Sequence, residues 1–403
     1  MARQINLIHC PKVIVCMVPL LVWGVAGHCV ADKTQAIMER SGDVPTLAEI
    51  DEAMLGFVER GRASGVVTLV GHQGKIVHLG AVGHADLESG RKMTPDTLFA
   101  IASMTKPITA TAVMLLREEG RLDLDTPIQE HLPAFANVSL KSGRNPYRPL
   151  TLKDVMTHTS GLNGNQRFQC SLAETVDEIA TRSLAFQPGE KWQYSPGLTV
   201  AGRLVELIAD EPFESFLSER IFRPLGMNDT TFYPTEAQRS RLATLYQPSE
   251  NSDQLVPAEN DLVKALPVAG PNPSGGLVSS AKDLFAFYQM ILDQGDHRGE
   301  SIVDAESISL MTSPQAGDVT TGFTPGNTWG LGWCLVQEPQ GATESLNKGT
   351  FGHGGAFGTQ GWVDPLTETI YVLLIQRTKM GNSDASEIRR VFQKTASEML
   401  DLR

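Results

Sequence analysis

Strand patterns stand near both ends of this chain with a long helical stretch between them, and that spacing constrains the fold more than any other feature. Residues 66–70 and 75–79 read as two strands about the turn His72-Gln73-Gly74. Residues 360–363 and 371–376 form a second hairpin pattern about Asp364-Pro365-Leu366-Thr367. A lone hairpin is marginal in water, so the two hairpins are expected to share one antiparallel sheet. A helical pattern flanks each. The first opens at Thr46-Leu47-Ala48-Glu49, a capping-box spelling, and carries Leu47, Ile50, Met54, Phe57 and Val58 on one face. The last, residues 384–400, carries Ile388, Val391, Phe392 and Met399 on one face.

Between the hairpins, residues 103–266 are patterned as helices. Residues 108–119 end at Gly120, a helix stop, and Ala201, Leu204, Val205 and Ile208 make a further apolar stripe. Residues 267–276 hold three prolines and three glycines and mark the return to the sheet. The expected organisation is α/β (α+β): a discontinuous sheet region, residues 44–102 and 267–403, flanked by N- and C-terminal helices. An all-helical insertion, residues 103–266, interrupts it, and the active site is expected at the interface.

The first 31 residues differ from the rest. Arg3 and Lys12 are the only charges before Asp32, residues 13–26 are apolar, and Cys29-Val30-Ala31 offers small residues before a cut after Ala31. That layout is a signal peptide, implying export to a periplasmic or extracellular location. Retention as an anchor is the rival, against which the run is short of ~20 apolar residues and contains Pro19. Of five cysteines, Cys170 and Cys334 lie beyond the leader, in no metal-ligand or Cys-x-x-Cys spacing. They read as buried thiols or as one disulfide. A net charge of −12 without a basic run argues against nucleic acid and anionic membranes as partners. His72, His78 and His84 recur every six residues, but turn and solvent-face positions account for them and nothing completes a metal site. No nucleotide or flavin motif appears, so no cofactor is expected.

The pattern Ser-x-x-Lys occurs four times, at Ser89, Ser103, Ser279 and Ser345. On a helix it sets hydroxyl and amine one turn apart on one face, where a lysine of lowered pKa can take the serine proton. Ser89 lies in a polar turn, Ser345 in a loop, and Ser279-Ser280 with Asp283 reads as helix capping. Only Ser103 follows an apolar segment, residues 98–102, and opens a long apolar helix, whose N-terminal partial charge favours a developing oxyanion. Pro107 suits the first turn of that helix. His158-Thr159-Ser160-Gly161 is set aside as a decoy, since neighbours on a tight turn rarely form a Ser-His pair.

The stretch Phe99-Ala100-Ile101-Ala102-Ser103-Met104-Thr105-Lys106-Pro107 resembles the nucleophile segment of the serine β-lactamase-like and penicillin-binding protein family: class C β-lactamases, D,D-peptidases and family VIII esterases. Met156-Thr157-His158-Thr159-Ser160-Gly161-Leu162 and Ser274-Gly275-Gly276-Leu277 agree with that family in the same order. The resemblance implies the β-lactamase/transpeptidase-like fold and two further site motifs. Tyr194, in Tyr194-Ser195-Pro196, matches the family's catalytic tyrosine, which would shuttle a proton between Ser103, Lys106 and the leaving group. His353-Gly354-Gly355 stands where β-lactamases of the family carry Lys-Thr-Gly, and by analogy the N–H groups of Ser103 and Ala356 would form the oxyanion hole.

Two positions depart from the family's β-lactamases: Pro196 replaces an asparagine and cannot hydrogen-bond through its side chain, and His353 replaces lysine. The expected function is therefore an exported serine hydrolase forming an acyl-enzyme at Ser103, with carboxylesterase or related acyl transfer ahead of D-alanyl-D-alanine carboxypeptidase or β-lactamase. A catalytically silent relative that binds cell-wall peptides is the alternative of another class. The partner is a small ester, amide or lactam, or a cell-wall peptide. The cleft walls are expected from residues 163–171 and 315–328.

Overall fold

The computed structural model describes residues 47–164, 171–252, 254–259 and 270–402. The leader, Thr46 and Cys170 lie outside the described residues, and with Cys170 lies the question of a disulfide.

β1 (Gly65–His72) and β2 (Lys75–Asp86) form the first hairpin, and β3 (Arg91–Lys92) adds to its outer edge. Its turn places Gln73 at φ 48° and Gly74 at φ 75°, the left-handed pair of a tight hairpin. From the far end of the chain come β4 (Asn327–Trp329), β5 (Cys334–Val336), β6 (Phe351–Gly354), β7 (Gln360–Asp364) and β8 (Thr369–Leu374). All eight strands join one antiparallel sheet in the order β4-β5-β6-β7-β8-β1-β2-β3. The seam between the chain's two ends is β1 against β8, in register from Val67↔Leu374 to His72↔Thr369.

Alternation of side chains splits the core in two. Val66 and Val70 of β1, with Tyr371 and Leu373 of β8, face helices α1 (Ala48–Glu59) and α6 (Glu387–Met399), meeting Ile50, Phe57, Ile388 and Phe392. Val67 and Leu69, with Ile370, Val372 and Leu374, face the other way, into a larger core shared with α5 (Ala281–Leu292) and α2 (Thr105–Glu118). Burying each such side chain stabilises the fold by ~1.5–3 kcal/mol, so the central strands hold both layers.

Several details differ from the expectations. α1 begins at Ala48 with Leu47 as N-cap and no side-chain cap; the Leu47 N–H instead donates to His78 Nδ1 at 3.0 Å. His78 is therefore no solvent-face residue. It is fully buried beneath α1, its Nε2 2.8 Å from Thr68 Oγ1. Burial holds its pKa at about 4, so the ring is neutral. Met399, the last residue of α6, is 38% exposed instead of joining the core face. Residues 103–266 are not wholly helical, since Tyr246–Pro248 pairs with Leu255–Pro257 in a hairpin too short and proline-bounded to show a period. Among the described residues no group of three or more His, Cys, Asp or Glu could hold a metal.

Candidate active site

The nucleophile segment is clamped before it becomes helical. Phe99 and Ala100 pair with Ser279 and Val278, and the Ile101 N–H donates to Leu277 O. Ala102 then takes φ 47°, a costly conformation for a residue with a Cβ. Ser103 lies in a 3₁₀ turn, Ala102–Met104, and α2 proper starts only at Thr105, whose hydroxyl donates to the Ala102 carbonyl. Ser103 thus lies in the 3₁₀ turn that runs directly into α2, two residues before its first residue.

Lys106 is 2% exposed. Its Nζ donates to Ser103 Oγ at 3.1 Å and to Ser274 O at 2.6 Å, and sits 4.6 Å above the Tyr194 ring. Burial lowers its pKa from 10.5 to about 7. Near neutrality about half the amines are then uncharged, over a thousandfold more than for a solvated lysine. Ser274 is held by a bond from Thr199 Oγ1 to its hydroxyl, 2.7 Å, on helix α4 (Gly197–Ala209). The sequence placed Ser274 in a family-like run without a role; only the fold shows its carbonyl fixing the amine.

Tyr194 leans over this pair. Among the described residues its buried phenol makes no hydrogen bond within normal range, yet it lies near enough to Ser103 for that hydroxyl to offset part of the desolvation, which drives the phenol pKa well above its ordinary value. The phenol stays protonated. Below the ring is His158, two residues past helix α3 (Leu152–Met156) and set aside above as a decoy, with ring centroids 4.5 Å apart. It does not pair with Ser160, whose Oγ accepts from the Leu162 N–H. The Ser195 N–H donates to His158 Nδ1 at 3.2 Å, so the ring proton is on Nε2. His158 is fully buried at φ 63° and works as packing for Tyr194. Its signal was its place in a family-like motif; its partner, 36 residues on, was not legible.

The opposite wall comes from β6. His353 is 2% exposed, its Nδ1–H donates to Gly354 O at 2.6 Å, and burial, aided by the Lys106 charge, holds its pKa at about 3. It is a neutral imidazole at any physiological pH, enclosed by Trp329 (5.3 Å) and Tyr194 (6.1 Å). Gly354 and Gly355 are required by close approach: a Cβ on Gly354 would lie 1.7 Å from Asp384 Oδ1, and one on Gly355 would lie 2.4 Å from Ile101 O. The second contact brings the strand end against the nucleophile turn, with Ala356, the next residue, exposed.

Pro196 is buried as the N-cap of α4. Of the expected walls, residues 165–170 lie outside the described residues. The segment 315–328 brings Phe323, 50% exposed, to 5.0 Å from Tyr194 and 5.4 Å from Trp192. These three rings make an apolar lip. Cys334 is a buried thiol that accepts from Asn327 Nδ2 at 3.2 Å.

The chain is similar to known proteins over most of its length. The Beta-lactamase family model matches residues 50–396. Esterase EstB of Burkholderia gladioli is 30% identical, over 83% of this chain and 92% of its own. A putative D-alanyl-D-alanine carboxypeptidase of Escherichia coli (strain K12) is 26% identical over 89% of each. Among solved structures, EstCE1, described as a hydrolase with promiscuous acyltransferase activity, superposes with a TM-score of 0.76 at 23% identity, covering 86% of this chain and 98% of its own.

Proposed function

Since the chain belongs to the Beta-lactamase family, and is a serine hydrolase of it, we propose that it acts as a carboxylesterase through an acyl-enzyme at Ser103. The observation that carries this is the buried Lys106 amine, tuned to about pKa 7 and 3.1 Å from the Ser103 hydroxyl. A chain that only bound cell-wall peptides would have no physical need of it.

Lys106 in its neutral form takes the Ser103 proton as Oγ bonds to the acyl carbon. The oxyanion is met by the N–H groups of Ser103 and Ala356. As the tetrahedral adduct collapses, the bond to the leaving oxygen breaks and Tyr194 hands its proton to that oxygen, recovering one from Lys106. Water then enters by the reverse sequence and releases the acid. Between the two candidate bases the division is physical: burial pulls the amine toward neutrality and pushes the phenol further from ionisation, so Lys106 is the base and Tyr194 the relay.

Ester preference rests on the opposite wall. A neutral His353 offers no positive charge to the carboxylate that a β-lactam or D,D-peptide carries, and Pro196 offers no side-chain hydrogen bond to a substrate amide. The lip of Phe323, Trp192 and Tyr194 suits an apolar acyl or alcohol group. Export through residues 1–31 belongs to the same proposal, and fractionating cells that express the full chain tests it.

Turnover of p-nitrophenyl butyrate beside nitrocefin, with Ser103→Ala as control, tests the activity. Ester hydrolysis lost in the variant, with little nitrocefin turnover, is expected. Nitrocefin turnover that outpaces the ester overturns the ranking, and a fluorophosphonate that fails to label the folded protein revives the silent-binder reading.

A further inference from the structure

We propose that Ser383 is a positioning residue for the oxyanion donor, its hydroxyl fixing the Gly355–Ala356 peptide so that the Ala356 N–H meets the carbonyl under attack. The inference rests on the acyl-enzyme reading above and adds a residue to it.

Ser383 opens the 3₁₀ turn Ser383–Ala385, immediately before α6 and remote in sequence from the cleft strand. Its Oγ donates to Gly355 O at 3.0 Å. The same carbonyl accepts the Gly358 N–H at 2.9 Å, the closing bond of the turn after β6. Both lone pairs are therefore engaged from two directions. In a planar trans peptide the C=O and the following N–H point oppositely, and the described residues contain no cis bond. Holding Gly355 O toward Ser383 and the turn interior thus aims the Ala356 N–H away from both. Gly355 is itself pressed against Ile101 O, two residues before the nucleophile, so that outward direction is the one open to a substrate at Ser103. Donation into the carbonyl also polarises the peptide and strengthens its N–H as a donor.

The platform beneath Ser383 is held from several sides. Gln360 Nε2 donates to Ser383 O at 3.1 Å, the Asp384 N–H donates to Asn382 Oδ1 at 3.1 Å, and Arg389 Nη1 donates to Asp384 O at 2.6 Å. Arg389 is fully buried, its guanidinium 3.8 Å above the Trp362 ring. Asn382 Nδ2 meanwhile donates to Phe323 O at 2.9 Å. One turn therefore holds the oxyanion peptide through Ser383 and the apolar lip through Asn382.

The full chain carrying Ser383→Ala, Ser383→Thr or Asn382→Ala is assayed for kcat and KM on p-nitrophenyl butyrate, with circular dichroism to confirm folding. Deleting an oxyanion donor costs 10²–10³ in kcat, and loosening one at a single remove should cost about tenfold. Ser383→Ala is expected to lower kcat by that factor with KM within about twofold, and Ser383→Thr, which keeps the hydroxyl, to recover most of it. Asn382→Ala, which disturbs the same turn but spares the Gly355 bond, should raise KM instead. A wild-type kcat in Ser383→Ala, or the same kcat and KM changes in both alanine variants, overturns the inference. Failure of wild-type protein to hydrolyse the ester or to label at Ser103 would instead sink the parent reading.

Discussion

The two walls of the cleft are built in opposite ways. The nucleophile wall is local: Ser103 and Lys106 are three residues apart, and the fold adds the Ser274 carbonyl and the clamp of residues 99–101 on 277–279. The recognition wall is assembled from Tyr194, Phe323, Trp329, His353 and Ser383, drawn from segments spread over nearly half the chain. Both walls bury a nitrogen base, and burial depresses both, Lys106 to about 7 and His353 to about 3. Desolvation disfavours the charged form of either, but the starting values differ by four units. The same physics therefore leaves the lysine poised to exchange a proton at neutral pH and silences the histidine. Proton abstraction resides on the local wall, and the dispersed one joins selectivity to the Tyr194 relay and the oxyanion support.

Replacing Lys106 with methionine tests that division most severely. Ester turnover should fall by about 10³ or more, since a general base and the proton path are lost together, while the apolar isostere fills the same space. Stability should move the other way. A lysine whose folded pKa lies below its unfolded value burdens the folded state, fully below about pH 7 and progressively less as pH rises toward 10.5. Lys106→Met should therefore raise Tm most at pH 6 and little at pH 10. Loss of stability at both would show the amine to be a structural tie to Ser274 instead.

The pH profile of the wild-type protein sharpens the same contrast. The kcat/KM for a neutral ester should rise about tenfold per unit below pH 7 and level above it, following deprotonation of Lys106. His353, already neutral, should leave no mark, so His353→Asn should keep the inflection where it is. An inflection that moved with that substitution would place the titrating group on the wrong wall.

What the sequence revealed follows from the same locality. The hairpins, the terminal helices and the Ser103–Lys106 pair were legible because each is written within one or two turns of chain. Tyr194, His353 and Ala356 were legible through resemblance alone, since nothing in their spacing links them to Ser103. His158 makes no pair with Ser160, as its spacing implied, but its packing against Tyr194 joins segments 36 residues apart and no local pattern encodes it. Likewise His78 is buried because α1 closes over β2 and donates a backbone N–H to it, a contact between elements that no strand pattern encodes. The roles of Ser274 and Ser383 escape the sequence for the same reason, since they act through a backbone carbonyl and a hydroxyl of ordinary type, whereas Phe323 lies in the segment expected to wall the cleft, with no periodicity to single it out.

Truncating Phe323 to alanine probes the dispersed wall. The ring is half exposed and packs on Tyr194 and Trp192 without touching the nucleophile pair, so it should matter for binding more than for chemistry. Loss of an apolar contact of this kind is worth ~1–2 kcal/mol. For a p-nitrophenyl octanoate KM should rise about tenfold with kcat nearly unchanged, and for the acetate the effect should shrink to about twofold. Equal losses on both esters would mean that Phe323 supports Tyr194 instead of lining the acyl site.

Pro196→Asn is the mildest substitution and asks whether the selectivity wall can be rewritten at one position. The site is the N-cap of α4, at φ −73° and ψ 18°, a conformation open to asparagine, and proline contributes no side-chain cap there. A new side-chain oxygen should accept an N–H of the first turn, offsetting the chain entropy regained by the unfolded state when proline is removed. Stability should thus change by less than ~1 kcal/mol, and kcat/KM on a simple ester should hold. The freed amide N–H₂ lies two residues from Tyr194 and gives an amide-bearing substrate a donor that proline cannot, so the ratio of amide to ester turnover should rise about threefold, the order of one weak hydrogen bond. An unchanged ratio would move the source of ester preference from Pro196 to the uncharged His353, and His353→Lys on the Pro196→Asn background would then be the variant that restores a β-lactam's carboxylate partner.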